Sequence, residues 1–255
     1  MEYVALATWC FTVALLGGFV GLVLGNLRLP LVVALASSPA TGAGANIGIS
    51  AVAAATASTA HIRAGRVNWR LFAWMAPPSI VGAVVGGYLS GAIPGDALLF
   101  GIAAVLAYSA FQLLRPRGKK EAEEAERAAA GGEQRLDLRA AVLSGAAIGL
   151  VGGMVGLILG SLRMPALLRL VGEAPAKAVG TNVTVGLCVG IAGVLGHLPS
   201  GAPDWNLLAV GAAASIPGAL IGSRLTGRLS EESLLRAIGW VLVLAALSTV
   251  VEAVT

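Results

Sequence analysis

The stretch GGFVGLVLGNLRLP, residues 17–30, returns as GGMVGLILGSLRMP at residues 152–165. Ten of the fourteen positions are identical in the two copies, which lie 135 residues apart (152 minus 17). At an offset of 136 the match continues in further pairs: Pro39 with Pro175, Asn46 with Asn182, and Trp69 with Trp205. This register predicts an internal duplication, which is common in transporter folds, where the substrate binds between the repeats.

The composition predicts an all-α integral membrane protein. Of the 255 residues, 57% are hydrophobic and only 12% are charged, whereas soluble domains carry about 25% charged residues. Apolar runs of about 20 residues, long enough to span a bilayer as helices, recur along the chain. We predict about eight membrane segments, at roughly 4–25, 44–62, 69–92, 96–114, 140–160, 178–197, 205–224 and 233–252. They form a first repeat (1–114) and a second repeat (140–255), joined by a charged linker (115–139).

The basic residues predict how the repeats are oriented. Fifteen of the 17 lysines and arginines lie in four regions, 61–70, 115–139, 169–177 and 224–236, which we predict to be cytoplasmic. The loop 61–69 then faces inward, while its repeat partner 197–205 has no basic residue and faces outward. Equivalent loops on opposite faces predict inverted repeats. The first segment of each repeat must then enter the membrane and return to the same side, as a broken or re-entrant helix hairpin. Four plain crossings per half, with parallel repeats, are the competing arrangement.

The two remaining basic residues, Arg28 and Arg163, lie at the predicted turns of these hairpins. An arginine at membrane depth costs at least ~2.5–3.5 kcal/mol, so something must offset this penalty. One interpretation is an anion site, because a guanidinium group presents a planar fork of donors that matches an oxyanion. The candidate substrate-binding residues at the turns are Arg28, Arg163, Gly25, Gly160, Asn26 and Ser161.

Other interpretations of these residues remain open. The arginines could bond to carbonyl groups freed by the broken helices, or extend to the membrane surface. Asn46, Thr181 and Asn182 open the next helix of each repeat, where they could complete an oxyanion cage or simply cap the helix. The repeat partners His61 and His197 could relay protons or lie at the membrane interface without a special role.

Several function classes are disfavoured. No carboxylate is placed mid-membrane by the predicted spans, although many pumps and symporters carry protons on such groups. There is no P-loop, and no catalytic triad or set of metal ligands stands out, so we expect neither an enzyme nor a bound metal or cofactor. The net charge of +4 follows the membrane topology and does not indicate nucleic-acid binding.

The sequence resembles the sulfite exporter (TauE/SafE-type, also called TSUP) permease family. The resemblance rests on the two glycine-rich turns GLVLGNLRLPLV and GLILGSLRMPALL, on PAKAVGTN (175–182) and on HIRAGRVNW (61–69). It covers nearly the whole chain apart from the linker. It implies seven to nine membrane segments in two repeats and transport of small anions, typically sulfite, sulfonates, other sulfur oxyanions or related organic acids.

We therefore expect a transporter of a small anion in the bacterial inner membrane, working by alternating access around a central arginine site. Its partners would be the anionic substrate and the lipid bilayer, and whether it forms a homo-oligomer is left open. Two alternatives are a non-transporting membrane scaffold, whose working part would be the cytoplasmic linker 115–139, and a channel-like anion conductor.

Overall fold

The chain is seen in a computed structural model that describes residues 1–37, 39–89, 136–155, 157–197, 203–226 and 231–254, with a few single positions between 100 and 115. All regular structure in these residues is helical, which confirms the predicted all-α class for this part of the chain. In chain order the helices are α1 (Glu2–Val20), α2 (Gly25–Leu35), α3 (Pro39–Arg63), α4 (Trp69–Leu89), α5 (Leu138–Val155), α6 (Gly160–Pro165) with a π-helical continuation (Ala166–Val171), α7 (Pro175–His197), α8 (Trp205–Leu225) and α9 (Glu231–Val254). Linker residues 116–135 and most of the predicted segment 96–114 lie outside the described residues.

Several of these helices suit a lipid bilayer. Three are long and apolar enough to cross it, judged by length and composition: Glu2–Val20, Pro175–Leu195 and Trp205–Leu225. Leu138–Gly152 and Arg236–Ser248 are shorter apolar helices. Large apolar side chains are exposed on the outside, as at Trp240, where lipid would cover them. The protein is thus a multi-pass membrane protein, while the number of eight segments stays a prediction.

The first helix of each half is broken within the glycine-rich stretch. α1 ends at Gly21, whose φ of 68° lies in the left-handed region that glycine enters without penalty. In the second half the break separates α5 from α6. The predicted segments 4–25 and 140–160 extend beyond the observed ends of α1 and α5, because in each half the helix ends before the glycine that starts the next one.

The backbone makes the same turn in both halves. The N–H of Leu22 donates to the carbonyl of Gly17 at 2.8 Å, and one repeat later Leu157 donates to Gly152 at 3.0 Å. In the second half, the N–H of Asp137 also donates to the carbonyl of Val171 at 3.1 Å. This bond joins the start of α5 to the end of the π-helical continuation, so the chain between them goes out and returns to the same level.

Each broken helix packs closely on a helix of the other half. α1 runs parallel to α8, and α5 runs parallel to α4. A Cβ atom on Gly222 of α8 would lie 2.9 Å from the backbone nitrogen of Phe19, and one on Gly82 of α4 would lie 2.8 Å from that of Leu150. Small residues allow this backbone approach, and they hold the two halves together through two equivalent contacts.

The helices α3 and α7, which occupy equivalent places in the two repeats, pack against each other in opposite directions. Ile47, early in α3, faces Gly193, late in α7, at 3.4 Å from the position of a Cβ atom there. Farther along α3, Ala51 faces Gly190 at 3.2 Å measured in the same way. Since the contact moves forward along one helix and backward along the other, the pair is antiparallel.

Candidate functional site

The two breaks face each other inside the protein. We call residues 21–24 the first tip and residues 157–159 the second tip. A Cβ atom on Gly160, just after the second tip, would lie 3.0 Å from the backbone nitrogen of Val23 in the first. Asn182 of α7 joins the two, because its Nδ2 donates to the carbonyls of Gly21 (2.6 Å) and Gly160 (3.1 Å). The broken helices of both halves therefore share one buried polar centre.

Arg28 lies in α2, immediately after the first tip, and its side chain is bound to α3. Its Nε donates to Asn46 Oδ1 at 3.0 Å. Its Nη2 donates to Ser50 Oγ at 2.5 Å and to the Asn46 carbonyl at 3.4 Å. Asn46 is held in turn, because its Nδ2 donates to the carbonyl of Gly25 at 3.1 Å. The predicted residues Arg28, Asn46 and Gly25 thus form one connected network.

Arg163 lies in α6 after the second tip, at the position equivalent to Arg28. Its Nη1 donates to Asn182 Oδ1 at 3.3 Å. Its Nε and Nη2 are buried and have no hydrogen-bond partner among the described residues. The predicted residues Arg163, Asn182 and Gly160 therefore also come together, but this second network leaves two donors of a buried guanidinium group unused.

Burial makes both arginines energetically demanding. Arg28 is 2% exposed and Arg163 is fully buried. Their hydrogen-bond partners, Asn46, Ser50 and Asn182, are all neutral. Removing a charge from water is expensive unless an opposite charge or a complete set of hydrogen bonds replaces the solvent. Arg28 has most of that set, whereas Arg163 does not.

The other predicted site residues lie around these networks. Ser161 is buried in the first turn of α6, and the side chain of Asn26 lies outside the described residues. Thr181 turns toward the other half, where its hydroxyl accepts a hydrogen bond from the N–H of Asn68 at 3.0 Å. The Asn68 amide in turn donates to the carboxylate of Glu173. Thr181 therefore connects α7 to the loop after α3 and does not join the arginine networks.

A cavity opens beside the first tip. It has a volume of about 310 Å³, counted with its open mouth, and lies between α1, α3, α7 and α8. Glycines and alanines form much of its wall, and Arg28 and Val23 line it as well. Val23 also faces Gly186, where a Cβ atom would lie 3.2 Å from the valine Cγ2 and 3.8 Å from Arg163 Nη1. The first tip therefore separates the cavity from the second arginine.

Sequence reasoning missed Ser50, the residue that completes the Arg28 network. A usable signal existed, since Ser50 follows Asn46 by four residues and therefore lies on the same face of α3. The burial of Glu173, which is only 3% exposed, was also missed. It depends on contact with Asn68, which is 105 residues away in the chain.

His61 and His197 are the histidine pair that the repeat predicts. His61 is fully buried on α3, and neither ring nitrogen has a hydrogen-bond partner among the described residues. The side chain of its repeat partner, His197, lies outside the described residues. Within the described part of the chain, no group of three or more His, Cys, Asp or Glu side chains could hold a metal ion.

The comparison with known protein families agrees with the family resemblance that the motifs indicate. The family model described as "Sulfite exporter TauE/SafE" matches residues 6–249. The chain belongs to the sulfite exporter TauE/SafE family. The predicted resemblance is confirmed, and membership of TauE/SafE, a family of transporters and not of enzymes, implies a membrane transporter. None of the curated proteins and none of the solved structures compared with the chain matches it.

Proposed function

We propose that this TauE/SafE protein carries a small oxyanion, such as sulfite or an organosulfonate, across the bacterial inner membrane. The observation that carries the proposal is the pair of buried guanidinium groups of Arg28 and Arg163, whose protein partners are neutral amides and a hydroxyl. A buried charge without a counter-charge is unfavourable. An anion that binds between the two hairpin tips would supply the missing negative charge.

Each predicted residue has a distinct part in the proposed site. Arg28 and Arg163 supply positive charge, and Asn46 and Asn182 orient them through the hydrogen bonds described above. Backbone N–H groups at the tips can approach a ligand closely where glycine stands, and four residues would shape that surface: Gly25, Gly160, Asn26 and Ser161. Thr181 can serve as a further neutral donor to the anion only after its hydroxyl group releases the hydrogen bond from Asn68.

The proposed mechanism is alternating access between two inverted repeats. The antiparallel packing of the equivalent helices α3 and α7, and the crossed pairs α1–α8 and α4–α5, support this orientation of the repeats. Rocking one repeat against the other would open the site first to one side of the membrane and then to the other. In this topology the linker 115–139 and the loop 61–69 face the cytoplasm, where their basic residues are expected.

Uptake of radiolabelled sulfite into proteoliposomes tests the proposal. We expect the wild-type rate to saturate with sulfite concentration, because transport requires a bound intermediate. The double variant Arg28→Ala/Arg163→Ala should lose at least about tenfold in uptake, since it removes both charge-assisted contacts. Arg70→Ala is the matched control, because it removes an exposed arginine at the start of α4 and should leave uptake unchanged.

Three results would contradict the proposal. A flux that rises with concentration and never saturates would indicate a channel-like conductor. Equal uptake by the wild type and the double variant would remove the arginines from the site. The absence of uptake for sulfite, sulfoacetate, taurine and acetate alike would favour the scaffold, and deletion of residues 116–135 would then be the next test of function.

A further inference from the structure

The two arginines differ at one edge of the guanidinium group. In Arg28 the edge formed by Nε and Nη2 is filled, since Nε donates to Asn46 Oδ1 and Nη2 to Ser50 Oγ. In Arg163 the same edge has no partner among the described residues, although the side chain is fully buried. Its hydrogen bond to Asn182 leaves from Nη1, on the other side of the group.

The repeats also differ at the position one turn after the asparagine. Ser50 of α3 corresponds to Gly186 of α7, 136 residues later (186 minus 50). Both positions lie one helical turn after the asparagine of their own repeat and face the arginine of that repeat. A Cβ atom on Gly186 would lie only 3.8 Å from Arg163 Nη1. The second repeat therefore has no hydroxyl group beside its arginine at the position where Ser50 stands in the first.

We propose that the transported anion binds Arg163 through its Nε and Nη2, whereas Arg28 is a structural residue committed to Asn46 and Ser50. This inference rests on the proposed function and assigns different roles to two residues that the repeat makes look equivalent. At Arg163 the anion takes the place that the oxygens of Asn46 and Ser50 take at Arg28.

The geometry of the free edge selects a class of ligand. Nε and Nη2 donate in parallel from one planar group, so they match two oxygens bound to a single central atom. Sulfite, sulfonates and carboxylates all present such a pair of oxygens. Chloride is a single atom, so it can meet the two parallel N–H groups only at bent angles. The site should therefore prefer oxyanions to halides.

The cavity beside the first tip approaches Arg163 from the side of Nη1. It reaches Val23, which packs on Gly186 next to Arg163. A displacement of the first tip by the width of one valine side chain would open the cavity toward this guanidinium group. The close contact of the tip with Gly160 means that this displacement couples the two repeats, as alternating access requires.

The test is to supply the missing hydroxyl. Gly186→Ser should place an oxygen beside Arg163 Nη1 and compete with the anion for the charge of the guanidinium group. We expect sulfite to bind about 10- to 100-fold more weakly than to the wild type, which is the effect of losing one charge-assisted hydrogen bond. Binding is measured by thermal-shift titration of the purified full-length protein with sulfite, sulfoacetate and chloride.

Gly186→Ala is the matched control for the added volume. It introduces the same Cβ atom without a hydroxyl, and it should bind sulfite more tightly than Gly186→Ser. A second pair keeps the test independent of that glycine. Arg163→Lys should weaken sulfite binding by at least about tenfold because a single ammonium group cannot reproduce the fork, and it should do so more than Arg28→Lys.

The outcomes separate this inference from the function on which it rests. If the wild type binds sulfite and Gly186→Ser binds it as tightly as Gly186→Ala, Arg163 is not the contact and the inference fails alone. A larger loss of binding in Arg28→Lys than in Arg163→Lys would also overturn it. If the wild type shows neither binding nor uptake of any oxyanion tested, both the function and the inference fail.

Discussion

Ser50→Ala should destabilise the protein, and Ser58→Ala should not. Both serines lie on α3, both are 1% exposed, and both substitutions remove the same single oxygen atom. They differ in what that oxygen contacts. Ser50 Oγ accepts a hydrogen bond from Arg28 Nη2 at 2.5 Å, whereas Ser58 Oγ has no hydrogen-bond partner among the described residues.

The size of the effect follows from these contacts. A hydrogen bond to a charged group contributes about 1.5–3 kcal/mol, and a buried donor left without a partner is penalised. After Ser50→Ala, Nη2 retains only the Asn46 carbonyl at 3.4 Å, which is a poor substitute. For a protein of this size, about 2–4 °C are lost per kcal/mol, so we expect the melting temperature to fall by about 3–12 °C.

The assay is thermal unfolding of both variants in one detergent, followed by tryptophan fluorescence and without added anion. Ser58→Ala should melt at the wild-type temperature or slightly above it, because a buried polar group without a partner is replaced by an apolar one. Equal destabilisation by the two substitutions would contradict this prediction, because the loss of stability would then come from packing and not from the arginine contact.

Three further predictions test the packing and the topology. Asn182→Ala removes both hydrogen bonds that join the hairpin tips and should destabilise by about 1–3 kcal/mol, measured as a lower melting temperature; an unchanged value would mean that the tips hold together without it. Gly222→Ala forces a Cβ atom against the backbone of α1 and should cost about 1–3 kcal/mol, whereas full stability would show that the helices can separate freely. In a cysteine-free background, single cysteines at the exposed repeat partners Arg70 and Asn206 should react with a membrane-impermeant maleimide from opposite sides of the membrane, and labelling from one side would favour parallel repeats.

The sequence predicted the parts of the site that depend on local pattern. Consecutive glycines marked the breaks, and the duplicated arginines pointed to the residues that follow them. Each arginine bonds to the asparagine of its own repeat, 18 or 19 residues later, whereas an oxyanion cage around them stays a prediction. In these cases one repeat supported the interpretation of the other, because the same unusual residue occurred twice at the same place.

The parts that the sequence did not predict arise from contacts between the repeats. Thr181 bonds to Asn68, 113 residues away, because the loop after α3 reaches the start of α7. Nothing in the local sequence of either residue indicates this partner. The burial of Glu173 has the same cause. From sequence alone, a threonine that caps its own helix cannot be distinguished from one that bonds to a loop of the other half.

The Ser50–Gly186 difference bears on how the repeats can work. In an inverted-repeat transporter, exchange of conformations between the halves converts one open state into the other. If the two arginines were chemically equivalent, the anion could pass from one to the other as the halves exchange. With Arg28 held by Ser50 and Arg163 free along one edge, the anion would instead stay at one arginine while the tips move around it. Weakening anion binding at Arg163 with Gly186→Ser would then slow transport in both directions, whereas a passage between two equivalent sites would leave one direction less affected.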